Sequence, residues 1–237
     1  MSDFALVHGA YHGAWCWEPV IDELTARGHR AVAMDLPCED PSAGVERYAA
    51  AVVDAMAGLD ADAIVVGHSL GGMTIPAVAA ARPVGRLVFL AAIVPAPGRH
   101  FMEVAAADPP ADPEFMVAGV DHGDGTSRYQ PEYVERFFTY EAPDRTEWVA
   151  ARLRRQSWAV TNEVYPLAEW PSVPCAYIVC RDDRVVLPDW QRRAARDVLG
   201  VEPIELDGGH EPMIARPAEL ASLLDQIAVQ PPSTTSV

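Results

Sequence analysis

The sequence predicts an α/β fold: a mostly parallel sheet of about six strands, flanked by helices, with a helical cap inserted after the strand at 86–95. Three observations carry that expectation. The apolar runs are continuous rather than alternating, as strands buried on both faces require. They alternate along the chain with stretches whose apolar residues recur at helical spacing. The alternation lapses once, across residues 97–170.

FALVHG (4–9) is a short apolar run that stops at Gly9, and RAVAMDLP (30–37) is a second that stops at a proline. Between them, Val20, Ile21 and Leu24 mark one helical face, and Gly28 is placed to end that helix. ERYAAAVVDAMAG (46–58) reads as the next helix and AIVVG (63–67) as the next strand. GGMTIPAVAAARP (71–83) follows as a helix with Pro76 in its first turn, where a missing N–H costs nothing. RLVFLAAIVP (86–95) and PCAYIVC (174–180) are further buried strands. PDWQRRAARDVLG (188–200) opens a helix on proline, EPIELDGG (202–209) is the last strand, and RPAELASLLDQIAV (216–229) the last helix. The core is therefore expected over residues 1–96 and 171–230, the cap over 97–170, and a disordered tail over 231–237.

The 237 residues, 50% apolar and 22% charged, suffice for one large domain, or for a core with an insertion. A formal net charge of −16 argues against a nucleic-acid or anionic membrane surface. No run reaches about eighteen consecutive apolar residues, and the N-terminus lacks a basic stretch before an apolar one. Neither a transmembrane helix nor a signal peptide is expected. Cys16, Cys38, Cys175 and Cys180 are too scattered for a disulfide framework or a zinc site. A cytoplasmic protein is the expectation, with a small-molecule partner and a monomeric or homodimeric state.

The abrupt end of the run Ile64–Val66 in Gly-His-Ser-Leu-Gly-Gly carries the chemistry. A Gly-x-Ser-x-Gly segment after a strand and before a helix is a nucleophile elbow, its glycines allowing strand and helix to approach while the serine takes strained dihedrals. Ser69 is the candidate nucleophile. It needs a base and an orienting acid, each on a loop after a strand. His210 follows IELDGG directly at a strand end, whereas His122 lies in a cap turn with no strand before it. Asp182 and Asp183 follow the strand at 174–180, and adjacent side chains point opposite ways; Asp183 is favoured as the acid. The N–H groups of Leu70, after the nucleophile, and Ala10, in the loop after the first strand, are candidates for the oxyanion hole. His8 and His12 straddle a strand end and make a poor metal pair, and Asp121, His122 and Asp124 read as a polar turn. No metal or cofactor is expected.

LVHGAYHGAWCWEPVIDELTARGHRAVAMDLP, GHSLGG, RDDRVVLP and GGHEPM together resemble the α/β-hydrolase superfamily. They are most similar to its branch of plant methylesterases, plant hydroxynitrile lyases and related bacterial esterases. The resemblance implies Ser69, Asp183 and His210 as the triad and Ala10 and Leu70 as oxyanion donors. Asp183 stands five residues before Pro188, a spacing similar to that of the branch. Hydroxynitrile lyases of the branch bear threonine after the first histidine and lysine after the catalytic one; this chain has Gly9 and Glu211 there. Lyase chemistry is thereby disfavoured, and Glu211, as an anion beside the catalytic histidine, should discriminate against acidic acyl groups and tolerate neutral or cationic ones.

Residues 99–170 hold eleven of the chain's 19 aromatics. Part of that surplus must build the cap's own interior. The remainder suggests an apolar pocket for a small hydrophobic or aryl ester, with Tyr11, Trp15, Phe137, Phe138, Trp158 and Glu211 as candidate wall residues. Ester hydrolysis through an acyl-enzyme is the expected function. A lyase, cyclase or lactonase using the same triad remains open, as does a ligand receptor on the same fold.

Overall fold

The structure, a computed structural model, describes residues 1–230. The tail expected over 231–237 lies outside the described residues. Strands run in the order β1 (Asp3–Val7), β2 (Arg30–Ala33), β3 (Ile64–His68), β4 (Arg86–Leu90), β5 (Gly119–Asp121), β6 (Thr126–Tyr129), β7 (Gln156–Ser157), β8 (Cys175–Cys180) and β9 (Ile204–Leu206). Six of them form one sheet in the order β2-β1-β3-β4-β8-β9, and every neighbouring pair is parallel. Every residue of β1 and β3 is buried, in keeping with the apolar runs Phe4–Val7 and Ile64–Val66, while the edge strand β2 is half-exposed.

Helices flank the sheet. Glu18–Ala26 packs against Pro217–Val229, and Val45–Ala55 against Ile75–Ala81. The helix expected from residue 71 begins as a tight 3₁₀ turn over Ser69–Met73, and Pro76 stands in the first turn of the α-helix that follows. The helix at 188–200 is α-helical over Pro188–Arg193 and then widens into a π-type turn over Ala194–Val198. The strand expected over 86–95 leaves the sheet early. Ala91 takes a φ of +46°, a left-handed conformation that turns the chain out of the extended ladder.

The inserted segment differs from expectation in one respect. It is not wholly helical: β5, β6 and β7 form a small antiparallel sheet among short helices such as Phe101–Ala107 and Pro113–Val117. Strands of two to four residues hold too few positions for a periodic signal. The segment is tied to the loops at the carboxyl ends of the strands. Arg154 N–H donates to Tyr11 O at 2.7 Å, Ser157 N–H to Cys38 O at 2.6 Å, and the Tyr165 hydroxyl to Met73 O at 2.8 Å.

Candidate active site

In a parallel sheet every strand delivers its following loop to the same edge, so residues far apart in sequence meet there. Ser69 follows β3, Asp183 follows β8, His210 follows β9, and the loop His8–Ala10 follows β1. Ser69 has a φ of +52°, where a side chain other than glycine's is strained by about 1–3 kcal/mol. Its carbonyl is held by the N–H of Ile93 at 2.9 Å. The flanking glycines have no room for a side chain. A Cβ on Gly67 would lie 2.8 Å from Ile75 Cγ2, and one on Gly71 would lie 2.7 Å from the carbonyl oxygen of His8.

His210 Nδ1 donates to Asp183 Oδ2 at 2.8 Å, and both side chains are buried. The carboxylate receives three further donors: Val185 N–H and Val186 N–H at 2.7 and 3.0 Å, and Gln191 Nε2 at 2.8 Å. Four donors on one carboxylate define its plane and aim one oxygen at the imidazole. Asp182 is exposed and contributes only its backbone, whose carbonyl accepts from the Tyr140 hydroxyl at 2.5 Å. The next residue, Glu141, accepts from Gly209 N–H and from Arg216 Nη2, so the inserted segment grips the loops of both Asp183 and His210. Sequence reasoning missed Gln191, Tyr140 and Glu141. A glutamine inside an amphipathic helix carries no signal of the carboxylate it serves.

His8 organises the loop after β1. Its Nδ1 donates to Gly9 O at 2.8 Å while Nε2 accepts from Leu36 N–H at 3.0 Å, so the neutral tautomer is specified. Burial pushes its pKa down to about 4, which keeps it neutral. The Gly9 carbonyl shares a trans peptide with the Ala10 N–H, and the two point in opposite directions. Anchoring the one aims the other. Among the described residues the Ala10 N–H meets no acceptor, and Leu70 N–H lies in the first turn of Ser69–Met73, where helical donors lack intrahelical partners. Gly9 also explains why threonine is absent here: a Cβ would sit 2.7 Å from Ser69 Cβ. Tyr11 is strained in turn, at φ +65°, and is held by Gln156 Oε1 on its N–H and Ser127 Oγ at 2.9 Å on its hydroxyl.

Ser69, Ala10 and Leu70 open on a cavity of about 480 Å³. Its wall includes Ile93, Phe101, Met102, Phe115, Trp158 and Val186, and none of the described residues lining it is charged. Trp158 is the one candidate wall aromatic that stands on this cavity; its Nε1 donates to Ser127 Oγ at 3.0 Å. The other five proposed wall residues do not line it. Trp15 stacks on His12 and meets the edge of Trp148. Phe137 and Phe138 pack on Phe115, and Phe138 also on Tyr129 and His12. Tyr11 packs on Tyr129 and Trp158, behind the oxyanion loop. Phe137 and Phe138 belong to the interior of the inserted segment rather than to the cavity wall, and Tyr11 and Trp15 pack the segment after β1 against that interior, because large rings are what short helices and strands have with which to bury area.

Glu211 requires the same correction. Its carboxyl is 1% exposed and lies 3.5 Å from His12 Nε2, away from the cavity. Burial, reinforced by the charge of Asp183, raises its pKa well above the usual carboxylate range. It cannot act on substrate as the free anion the sequence suggested. His68, Glu211 and His210 bring possible metal-ligand atoms within 4.8 Å of one another. His68 already donates from Nε2 to His210 O at 2.8 Å, and His210 Nδ1 serves Asp183. A cation there would have to take the remaining nitrogen of His210 out of any triad. The rings of His68 and His210 lie 4.6 Å apart, which puts His210 beside the residue preceding Ser69.

Residues 4–223 match the family model described as the alpha/beta hydrolase family. Methylesterase 7 of Arabidopsis thaliana is 29% identical over 252 residues, covering 95% of both chains. Esterase PIR7B of Oryza sativa subsp. japonica is 42% identical over 60 residues; the chain spans only 22% of that relative. The crystal structure of a pyrethroid hydrolase from Sphingobium faniae JZ-2 superposes with a TM-score of 0.78 at 26% identity, covering 97% of this chain and 98% of that one. With the parallel sheet, the strained serine turn and the bonded Asp183–His210 pair at the same sheet edge, the match over nearly the whole length identifies this chain as a member of the alpha/beta hydrolase family.

Proposed function

We propose that the protein is a carboxylic ester hydrolase acting through an acyl-enzyme. Ser69 attacks the ester carbonyl as His210 takes its proton, and Asp183 holds the imidazole and stabilises the imidazolium that forms. The N–H groups of Ala10 and Leu70 receive the tetrahedral oxyanion. His210 then returns the proton to the leaving alcohol, and the same groups activate water to release the acid. The single observation that carries this reading is the 2.8 Å bond from His210 Nδ1 to Asp183, at the same sheet edge as a serine held at φ +52°. The names esterase, methylesterase and pyrethroid hydrolase borne by similar proteins support it.

The substrate is a neutral, apolar ester. A cavity of about 480 Å³ without a charged wall residue would strip water from an ionised acyl or alcohol group and return no partner. The test is a panel of neutral, anionic and cationic p-nitrophenyl esters turned over by the wild type and by Ser69→Ala. Turnover of the neutral members, with a loss of about 10⁴-fold or more in Ser69→Ala, is expected. Unchanged turnover in that variant, or preference for a charged ester, would overturn the reading.

A further inference from the structure

Eight buried side-chain polar atoms meet no partner among the described residues, and four of them lie behind His210: His12 Nε2, His68 Nδ1 and both carboxyl oxygens of Glu211. The indole N–H groups of Trp15 and Trp17, whose rings pack on His12 and His68, are also unpaired and so reach none of the four. The side chains are identified by their other bonds. His12 Nδ1 lies 2.9 Å from Ala10 O, and His68 Nε2 lies 2.8 Å from His210 O; a carbonyl only accepts, so those nitrogens carry the ring protons. The remaining nitrogens therefore offer lone pairs, and a carboxylate would add only more lone pairs. Acceptors cannot satisfy one another, so the cluster lacks a hydrogen. His12 Nε2 and Glu211 Oε1 stand 3.5 Å apart, within a small side-chain adjustment of a bond.

We propose that Glu211 is a neutral carboxylic acid that donates its proton to His12 Nε2, latching the loop of His210 to the oxyanion loop and positioning the two for turnover. The chain of contacts is continuous: the acid of Glu211, the imidazole of His12, the carbonyl of Ala10. The groups facing Glu211 favour the neutral form. His12 and Cys16 come from the segment after β1, His68 from the end of β3, His210 from its own loop and Asp183 from the loop after β8. Burial pushes His12 down to about 3, and Cys16 and His68 are likewise held neutral by burial. The nearby charge of Asp183 opposes a second negative charge on Glu211. Glu211 is a positioning residue: it touches neither Ser69 nor the cavity wall.

The effect on turnover rests on the triad reading, but the proton does not, so the two are tested separately. Infrared spectra of protein carrying ¹³C-labelled glutamate, recorded without substrate at about pH 8, lie well above the ordinary glutamate pKa of about 4.3. A protonated-carboxyl stretch that persists there and vanishes in Glu211→Gln is expected. Glu211→Gln keeps a donor for His12, whereas Glu211→Leu removes it at similar volume. On a neutral p-nitrophenyl ester, Glu211→Leu should lower kcat by about tenfold with KM little changed, and Glu211→Gln should recover most of that loss. The absence of the band, one equivalent of metal in the purified protein, or equal losses in the two variants would overturn the proposal. The band stands or falls whether or not Ser69→Ala is inactive.

Discussion

Gln191→Leu probes the least visible support of the site. The wild-type side chain is wholly buried and makes three bonds: Nε2 to Asp183 Oδ2 at 2.8 Å, Nε2 to Val186 O at 2.7 Å, and Oε1 from Cys180 N–H at 3.2 Å. Leucine fills a similar volume and makes none of them. Losing a bond to a charged group costs about 1.5–3 kcal/mol, and each buried backbone group left unpaired costs about 1–3 kcal/mol. These losses share neighbours and do not add fully, and the leucine's own burial returns about 1–2 kcal/mol. A net destabilisation of about 3–5 kcal/mol is expected, measured by urea unfolding. The folded fraction of the variant should also lose kcat on a p-nitrophenyl ester, since Asp183 keeps three donors of four and its plane is less defined. A destabilisation under about 1 kcal/mol would refute the reasoning, because it would mean that the three buried partners find replacements the packing does not supply.

Stability should peak near neutral pH. Burial lowers the pKa of His8, His12 and His68, so below about pH 6.5 the unfolded chain binds three protons that the folded one does not; neutral Glu211 offsets one of them. Stability then falls with acidification at up to about 3 kcal/mol per pH unit, and above pH 7 the raised Glu211 makes it fall, by about 1 kcal/mol per unit, as pH rises; a flat profile between about pH 5 and 8 would contradict this. Gly9→Ala, whose Cβ must displace Ser69 Cβ from 2.7 Å, should lower kcat/KM about 10²-fold, the scale of one misplaced oxyanion donor, and steady-state kinetics at wild-type level would refute it. Ala105→Trp, on the cavity wall, should lower kcat/KM for a long-chain or aryl acyl ester about tenfold and leave the acetyl ester unaffected, and parallel losses on both esters would refute that wall as a specificity surface.

The core was legible because one physical demand shaped it. Strands covered on both faces must be apolar at every position, so FALV, IVV and LVFL announce themselves, and the loops after FALV and IVV hold the candidate residues Ala10 and Ser69. Adjacent residues diverge, so only one of Asp182 and Asp183 can reach the imidazole; the spacing to Pro188 favours Asp183, and the structure buries it and exposes Asp182. The same rule applied to Glu211 would have turned it away from the pocket; proximity in sequence to His210 suggested otherwise. The inserted segment was harder to read. Its strands are too short for a period, and Phe137 and Phe138, chosen by composition, serve its own interior, while the cavity wall combines Phe101, Phe115 and Trp158 with the small and flexible residues Met102, Ala105 and Ala106. Gln191 left no trace, since nothing in one helix reports the carboxylate on another loop.

The central claim is that Ser69 is a nucleophile activated by His210. Labelling with a fluorophosphonate, followed by mass mapping of the peptides, addresses it directly. One adduct is expected, on Ser69, abolished in Ser69→Ala and strongly slowed in His210→Ala. Modification of a different residue, or a wild type that hydrolyses esters while Ser69 stays unlabelled, would contradict it.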